Sequence, residues 1–123
     1  MLAVHGEDGL DEITLTGATR VAELKHGEVR LYSIRPEDFG LRCAPIDSLR
    51  GGDPEQNKTI AMDVLGGKTG PCRDMVLLNA GAVVYAGGKA GSIGDGIRLA
   101  AESIDSGRAM EKLETLKRLS HST

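Results

Sequence analysis

Aromatic side chains are nearly missing from this sequence. Tyr32, Phe39 and Tyr85 are its only rings, and it has no tryptophan. So few rings make no stacking platform for single-stranded nucleic acid. An excess of positive charge is missing too. The formal net charge is −3, which gives no general attraction to nucleic acid or to an anionic membrane. Cysteine is limited to Cys43 and Cys72. Neither lies in a CxxC pair or a Cys/His cluster, which speaks against a zinc site. Free thiols in a reducing cytoplasm are the expectation. Met1 is followed almost at once by a His-Gly turn, so no secretory leader is expected. The longest apolar run, residues 75–86, carries Asn79 and is too short to span a bilayer.

What is present is the composition of an ordinary globular protein. Of 123 residues, 40% are apolar and 27% charged, enough for one domain with one modest core. The glycines, 17 in all, fall mostly between periodic segments.

The pattern predicts strands first and helices after them. Residues 2–4 read as the end of a buried strand, as though the chain begins inside a fold. Residues 6–10 read as a loop and 12–16 as a short strand. Two β-prone runs, 21–24 and 29–34, flank Lys25-His26-Gly27-Glu28 and predict a hairpin with a four-residue loop. Polar residues at Arg20, Glu23 and Arg30 suit a sheet with one wet face. Pro36-Glu37-Asp38-Phe39-Gly40 predicts a single helical turn closed by glycine. Asp53 is placed to cap a helix that has Pro54 at its first position and runs to about Leu65. Pro71 opens a helix through Ala86, apolar on nearly all sides and therefore buried. Ser92 caps a third helix, with Ile93, Ile97, Leu99, Ala100 and Ile104 on its apolar face. Residues 109–119 form a last amphipathic helix, striped by Met110, Leu113, Leu116 and Leu119. A lone hairpin does not make a stable sheet, so this segment is expected to complete a larger one.

Asp11 and Glu12 are the candidate metal ligands. In a loop after a strand, adjacent carboxylates can converge on one hard cation. Mg²⁺ suits such a pair, because it accepts one or two carboxylates and fills its shell with water or phosphate. A solvated acidic turn is the plainer alternative. His5, at a strand end, is a conceivable general base but more simply structural. His26 and His121 fall in a hairpin loop and a tail, where no role is expected. Gly66-Gly67-Lys68-Thr69 is not a phosphate loop. GxxxxGK[ST] would need glycine at Met62, and the match follows a helix instead of a strand. Gly87-Gly88-Lys89 and Gly91, Gly94 and Gly96 do not satisfy GxGxxG. Arg73 and Asp74 can pair or cap at the start of their helix.

Singly these motifs are weak, but their order is specific. His5-Gly6-x-x-Gly9-Leu10-Asp11-Glu12 is followed by Pro36-Glu37-Asp38-Phe39-Gly40-Leu41 and by Gly51-Gly52-Asp53 with Asn57. Then come Gly70-Pro71-x-Arg73-Asp74-x-Val76-Leu77-Leu78-Asn79-Ala80-Gly81-Ala82 and Ile104-Asp105-Ser106-Gly107-x-Ala109. This series resembles the anthranilate phosphoribosyltransferase family over essentially the whole chain, and corresponds to about the last third of that family's length. The resemblance implies an α/β fold: the C-terminal part of a nucleoside phosphorylase/phosphoribosyltransferase-like domain, with a β-hairpin followed by a helical second half. It implies transfer of phosphoribosyl from phosphoribosyl pyrophosphate to anthranilate, in tryptophan synthesis. It also implies that Asp11 and Glu12 bind the Mg²⁺ that accompanies the pyrophosphate. The acceptor amine supplies the nucleophile, which agrees with the lack of a Ser-His-Asp or Cys-His set, and no catalytic residue is assigned.

The departures bear on activity. The family's glycine-rich pyrophosphate loop, its Lys-His-Gly-Asn segment, its anthranilate-facing arginine and its dimer-forming N-terminal helical domain have no counterpart here. Residues 1–123 are therefore expected to be a C-terminal segment of the α/β domain, inactive alone. Three alternatives remain open: half of a split enzyme, a non-catalytic binding module, or a related phosphoribosyltransferase or nucleoside phosphorylase with another acceptor.

Overall fold

In the computed structural model of the chain, residues 1–7, 9, 12–45 and 52–121 are described, the last without its side chain. Three strands, β1 (Leu2–Gly6), β2 (Thr19–Lys25) and β3 (Glu28–Ile34), precede four helices, α1 (Pro54–Leu65), α2 (Pro71–Ala86), α3 (Ile93–Asp105) and α4 (Arg108–His121). The α/β order read from the sequence is the one observed.

The strands form an antiparallel sheet in the order β1-β2-β3. Val4 pairs with Val21 and Val21 with Tyr32. Period-2 alternation then places Leu2, Val4, Val21, Glu23, Tyr32 and Ile34 on one face, and Ala3, His5, Arg20, Ala22 and Leu31 on the other. Val21 is 2% exposed and Leu31 81%, so the first face is the inner one. The predicted four-residue hairpin loop is shorter in fact. Lys25 pairs with Glu28, leaving only His26 and Gly27, at φ 53° and 78°. Two successive left-handed residues make the turn whose twist matches the strands, and this extends both strands to its edge.

Residues 12–16 are not a strand. They join no ladder; the loop from β1 to β2 is instead closed at its base by the Glu7 N–H donating to the Ala18 carbonyl at 3.0 Å. Ile13, Thr14 and Leu15 are nevertheless almost wholly buried. Their backbone finds partners one by one. The Thr14 N–H donates to Thr19 Oγ1 at 3.0 Å, and the Leu15 carbonyl accepts from the Ala44 N–H at 3.0 Å. Apolar alternation sends the segment inside, and one side chain and one backbone amide stand in for a ladder.

A single 3₁₀ turn, Pro36–Phe39, ends at Gly40 in the left-handed region. Asp53 caps α1 by accepting from the Gln56 N–H at 2.9 Å, and Gln56 Oε1 accepts in return from the Asp53 N–H. Helices α2 and α3 make the closest pair, because Gly81 and Gly96 face each other at the crossing. A Cβ on Gly81 would stand 2.6 Å from the Ile97 nitrogen. The core lies between this pair and the sheet, and includes Ile13, Leu15, Val21, Ile34, Leu78, Ile97 and Ile104. Helix α2 is less enclosed than its composition suggests. Leu77, Leu78, Gly81 and Ala82 are buried, while Val76 and Val83 face outward. Leu99 and the far end of the α4 stripe, Leu116 and Leu119, are exposed too, since no described element covers them. Among the described residues, no helix is long and apolar enough to cross a membrane.

Candidate functional site

Of the two predicted metal ligands, Asp11 lies outside the described residues. Glu12 is described: it occupies a bend after the glycine-punctuated turn, and it is exposed. Among the described residues no hydrogen bond or ion pair engages it. The next residue, Ile13, is 2% exposed. An acidic bend thus stands directly on a buried, hydrogen-bonded anchor.

The anchor is made by α2. The Ile13 N–H donates to Asn79 Oδ1 at 2.9 Å, and Asn79 Nδ2 donates to the Ile13 carbonyl at 2.9 Å and to the Met75 carbonyl at 3.0 Å. Sequence reading gave Asn79 no role beyond interrupting an apolar run. That interruption was the available signal. A mid-helix asparagine carries a helix-propensity cost and needs partners for a partly buried amide.

The donor set fits a hard cation. Glu12 offers oxygen, and among the described residues no three His, Cys, Asp or Glu side chains converge as a metal cage. A carboxylate oxygen is the donor type that Mg²⁺ takes, with water and phosphate in its remaining positions.

The remaining candidates are placed apart from one another. His5 is exposed on the outer sheet face, paired in register with Arg20, and lines an open groove of about 560 Å³ with Ala3, Ala22, Leu31 and Ser33. Gly66 ends α1 and Lys68 reaches back to Asp63 at 3.5 Å, so the Gly-Gly-Lys-Thr stretch joins two helices. Arg73 does not pair with Asp74. It forms a two-pronged bridge to Asp105 at 2.9 and 3.0 Å, tying the start of α2 to the end of α3. Burial raises the Asp74 carboxyl pKa from its ordinary value, against the pull of Arg73. Among the described residues neither cysteine is in a disulfide. Cys43 Sγ donates to Glu37 Oε1 at 2.6 Å, and this carboxylate pushes the thiol pKa up, away from nucleophile chemistry.

A second polar cluster, at the far end of α2, went unread in the sequence. Glu23 accepts from Tyr32 Oη at 2.8 Å and from Tyr85 Oη at 2.5 Å, and Lys25 lies over the Tyr85 ring, 5.7 Å from its centroid. The Tyr85 bond, then the Tyr32 bond, hold the Glu23 pKa down while burial opposes them. Two of the chain's three rings are used here, locking α2 to β2 and β3.

Comparison with known proteins identifies the family. Residues 1–110 match the model of the glycosyl transferase family, a/b domain. An anthranilate phosphoribosyltransferase of Desulfitobacterium hafniense is 54% identical over 112 residues, covering 91% of this chain and 33% of that protein. The crystal structure of anthranilate phosphoribosyltransferase from Thermus thermophilus superposes with a TM-score of 0.83 at 45% identity, covering 93% of this chain and 33% of that one. The Saccharomyces cerevisiae anthranilate phosphoribosyltransferase, solved in complex with PRPP and Mg, superposes with a TM-score of 0.82 at 29% identity, covering 92% and 33%. The chain spans about a third of the length of the curated relatives it matches. It belongs to the glycosyl transferase family, a/b domain, and the relatives named above are anthranilate phosphoribosyltransferases.

Proposed function

We propose that this chain supplies the Mg²⁺-binding element of a phosphoribosyl transfer site, with Asp11 and Glu12 as the ligands. The donor substrate is phosphoribosyl pyrophosphate and the acceptor is anthranilate, so the reaction belongs to tryptophan biosynthesis. The chief support is the position of Glu12, an exposed acidic residue on a buried anchor, in a chain of this family. The yeast relative solved with PRPP and Mg supports the choice of ion and donor.

When bound, Mg²⁺ would stabilise charge on the departing pyrophosphate as a Lewis acid. The chain's own part is to hold oxygen donors in place. Ile13, Thr14 and Leu15 fix the backbone that carries Glu12, and α2 and the sheet fix those three in turn. No residue of the chain is given a nucleophilic role, because the acceptor amine fills it. The 123 residues correspond to a C-terminal segment of the a/b domain, and the helical domain that makes the family homodimer lies outside them. The chain alone does not turn over, since two carboxylates without phosphate and acceptor contacts do not orient the reactants. The two thiols, not joined in a disulfide, favour the cytoplasm.

The test is loss of anthranilate fluorescence with Mg²⁺ and phosphoribosyl pyrophosphate. The expected result is no turnover by the chain alone, and turnover once the amino-terminal two-thirds of a relative is added. Asp11→Asn with Glu12→Gln then lowers the rate by at least about 100-fold. Turnover in the complemented enzyme that is indifferent to both substitutions would sink the metal assignment.

A further inference from the structure

We infer that Asn79 is a positioning residue for the metal-binding carboxylate of Glu12: its side-chain amide, projecting from α2, fixes the peptide that joins Glu12 to Ile13. This rests on the metal reading of Asp11 and Glu12.

The three hydrogen bonds of Asn79 use its acceptor and both of its donors. Oδ1 takes the Ile13 N–H, and Nδ2 serves the carbonyls of Ile13 and Met75. The opposite amide orientation would set a donor against an N–H and an oxygen against two carbonyls, so the network itself dictates this one. The Ile13 N–H belongs to the peptide unit that starts at the Glu12 carbonyl. One amide therefore grips the backbone on both sides of the Ile13 Cα, across 66 residues of sequence. Rotation about this stretch would break both bonds at once and leave buried polar groups unpaired.

The other anchors of the loop act further along. Thr19 holds Thr14, and Ala44 holds Leu15; neither reaches the Glu12 peptide. Asn79 does, and the helix that carries it does not yield. It is packed on α3 at Gly81 and tied to the end of α3 by Arg73 and Asp105. A weakly held cation gains most from carboxylates that need no ordering on binding, and outer partners that orient ligands are worth about 10–100-fold in metal affinity. Asn79 touches the backbone and leaves the Glu12 carboxylate free for the ion.

The experiment is titration of Mn²⁺, a paramagnetic stand-in for Mg²⁺, into the full chain and three variants, followed by electron paramagnetic resonance. Glu12→Gln reports the site itself. Asn79→Ala is expected to weaken Mn²⁺ about 10-fold. Val64→Ala truncates a buried residue of α1, an element outside the anchor; it is expected to lower the melting temperature and leave Mn²⁺ affinity unchanged. Binding sensitive to Glu12→Gln but unchanged by Asn79→Ala overturns the inference alone, and so does an equal loss in Val64→Ala. Absent wild-type binding, or binding indifferent to Glu12→Gln, overturns the metal reading and this inference with it. A second measurement needs no variant. Coupling is reciprocal, so Mg²⁺ must slow hydrogen exchange at the Ile13 amide while the α3 amides are unaffected. Unchanged Ile13 exchange at saturating Mg²⁺ overturns the inference even where Asn79→Ala fails to fold.

Discussion

Glu23 points inward from β2 and is 9% exposed, a burial that would be costly for a lone carboxylate. Two tyrosine hydroxyls make it tolerable, and together they outweigh desolvation, so its pKa falls below the ordinary 4.5. A group whose folded pKa is depressed stabilises the fold fully above its unfolded pKa. That contribution is lost as pH drops through the folded value. Glu23→Gln should therefore flatten the acid limb of the stability curve, measured by urea unfolding between neutral pH and about pH 3. Tyr85→Phe removes the hydrogen bond that lowers the Glu23 pKa most and should cost about 1–3 kcal/mol at neutral pH. An acid limb in Glu23→Gln as steep as in the wild type would show that the cluster carries no linkage. The sequence placed Glu23 on the wet face of the sheet, because a carboxylate in an alternating strand ordinarily points to water. Its partners are 9 and 62 residues away, and no local pattern announces them.

At the scale of elements, helix starts and stops were legible because they are local chemistry. Asp53 before Pro54, Ser92 before Ile93 and Gly40 after Phe39 each satisfy or terminate a turn with groups a few residues apart. Which helix faces meet was not legible. Gly81 and Gly96 are weak helix formers, and only the α2–α3 crossing explains them: a Cβ on Gly96 would stand 2.9 Å from the Gly81 carbonyl carbon. Gly96→Ala gains helix propensity of about 1 kcal/mol, yet it forces two backbones apart. The expected outcome is a net loss of about 1–3 kcal/mol, read by thermal unfolding. A stabilised Gly96→Ala variant would show that the helices can separate at no cost.

Across the whole molecule, the helices cover one face of the sheet. On the other, Leu31 is 81% exposed, Val29 66% and Leu24 45%, and among the described strands both β1 and β3 are edges. Exposed apolar surface beside unpaired strand edges drives self-association. Isolated chain should show a weight-average mass that rises with concentration in sedimentation equilibrium. Leu31→Lys should lower that mass while leaving the inner-face core untouched. A wild-type chain that stays monomeric across the accessible concentration range would contradict this.

By itself the sequence determined what short-range physics controls: strand and helix order, caps, the hairpin position and the adjacency of Asp11 and Glu12. Ordered motifs also carried the family resemblance. Tertiary structure alone decided the rest. It made residues 13–15 a buried loop instead of part of a strand, since their hydrogen-bond partners are the Asn79 and Thr19 side chains and the Ala44 amide instead of the backbone ladder of a neighbouring strand. It sent Arg73 to Asp105 instead of its neighbour Asp74, and left Val76 and Val83 on the uncovered side of α2. Such choices depend on which surfaces meet after the chain has crossed dozens of residues. Hydrophobic period and capping chemistry, which act over one or two turns, do not encode them.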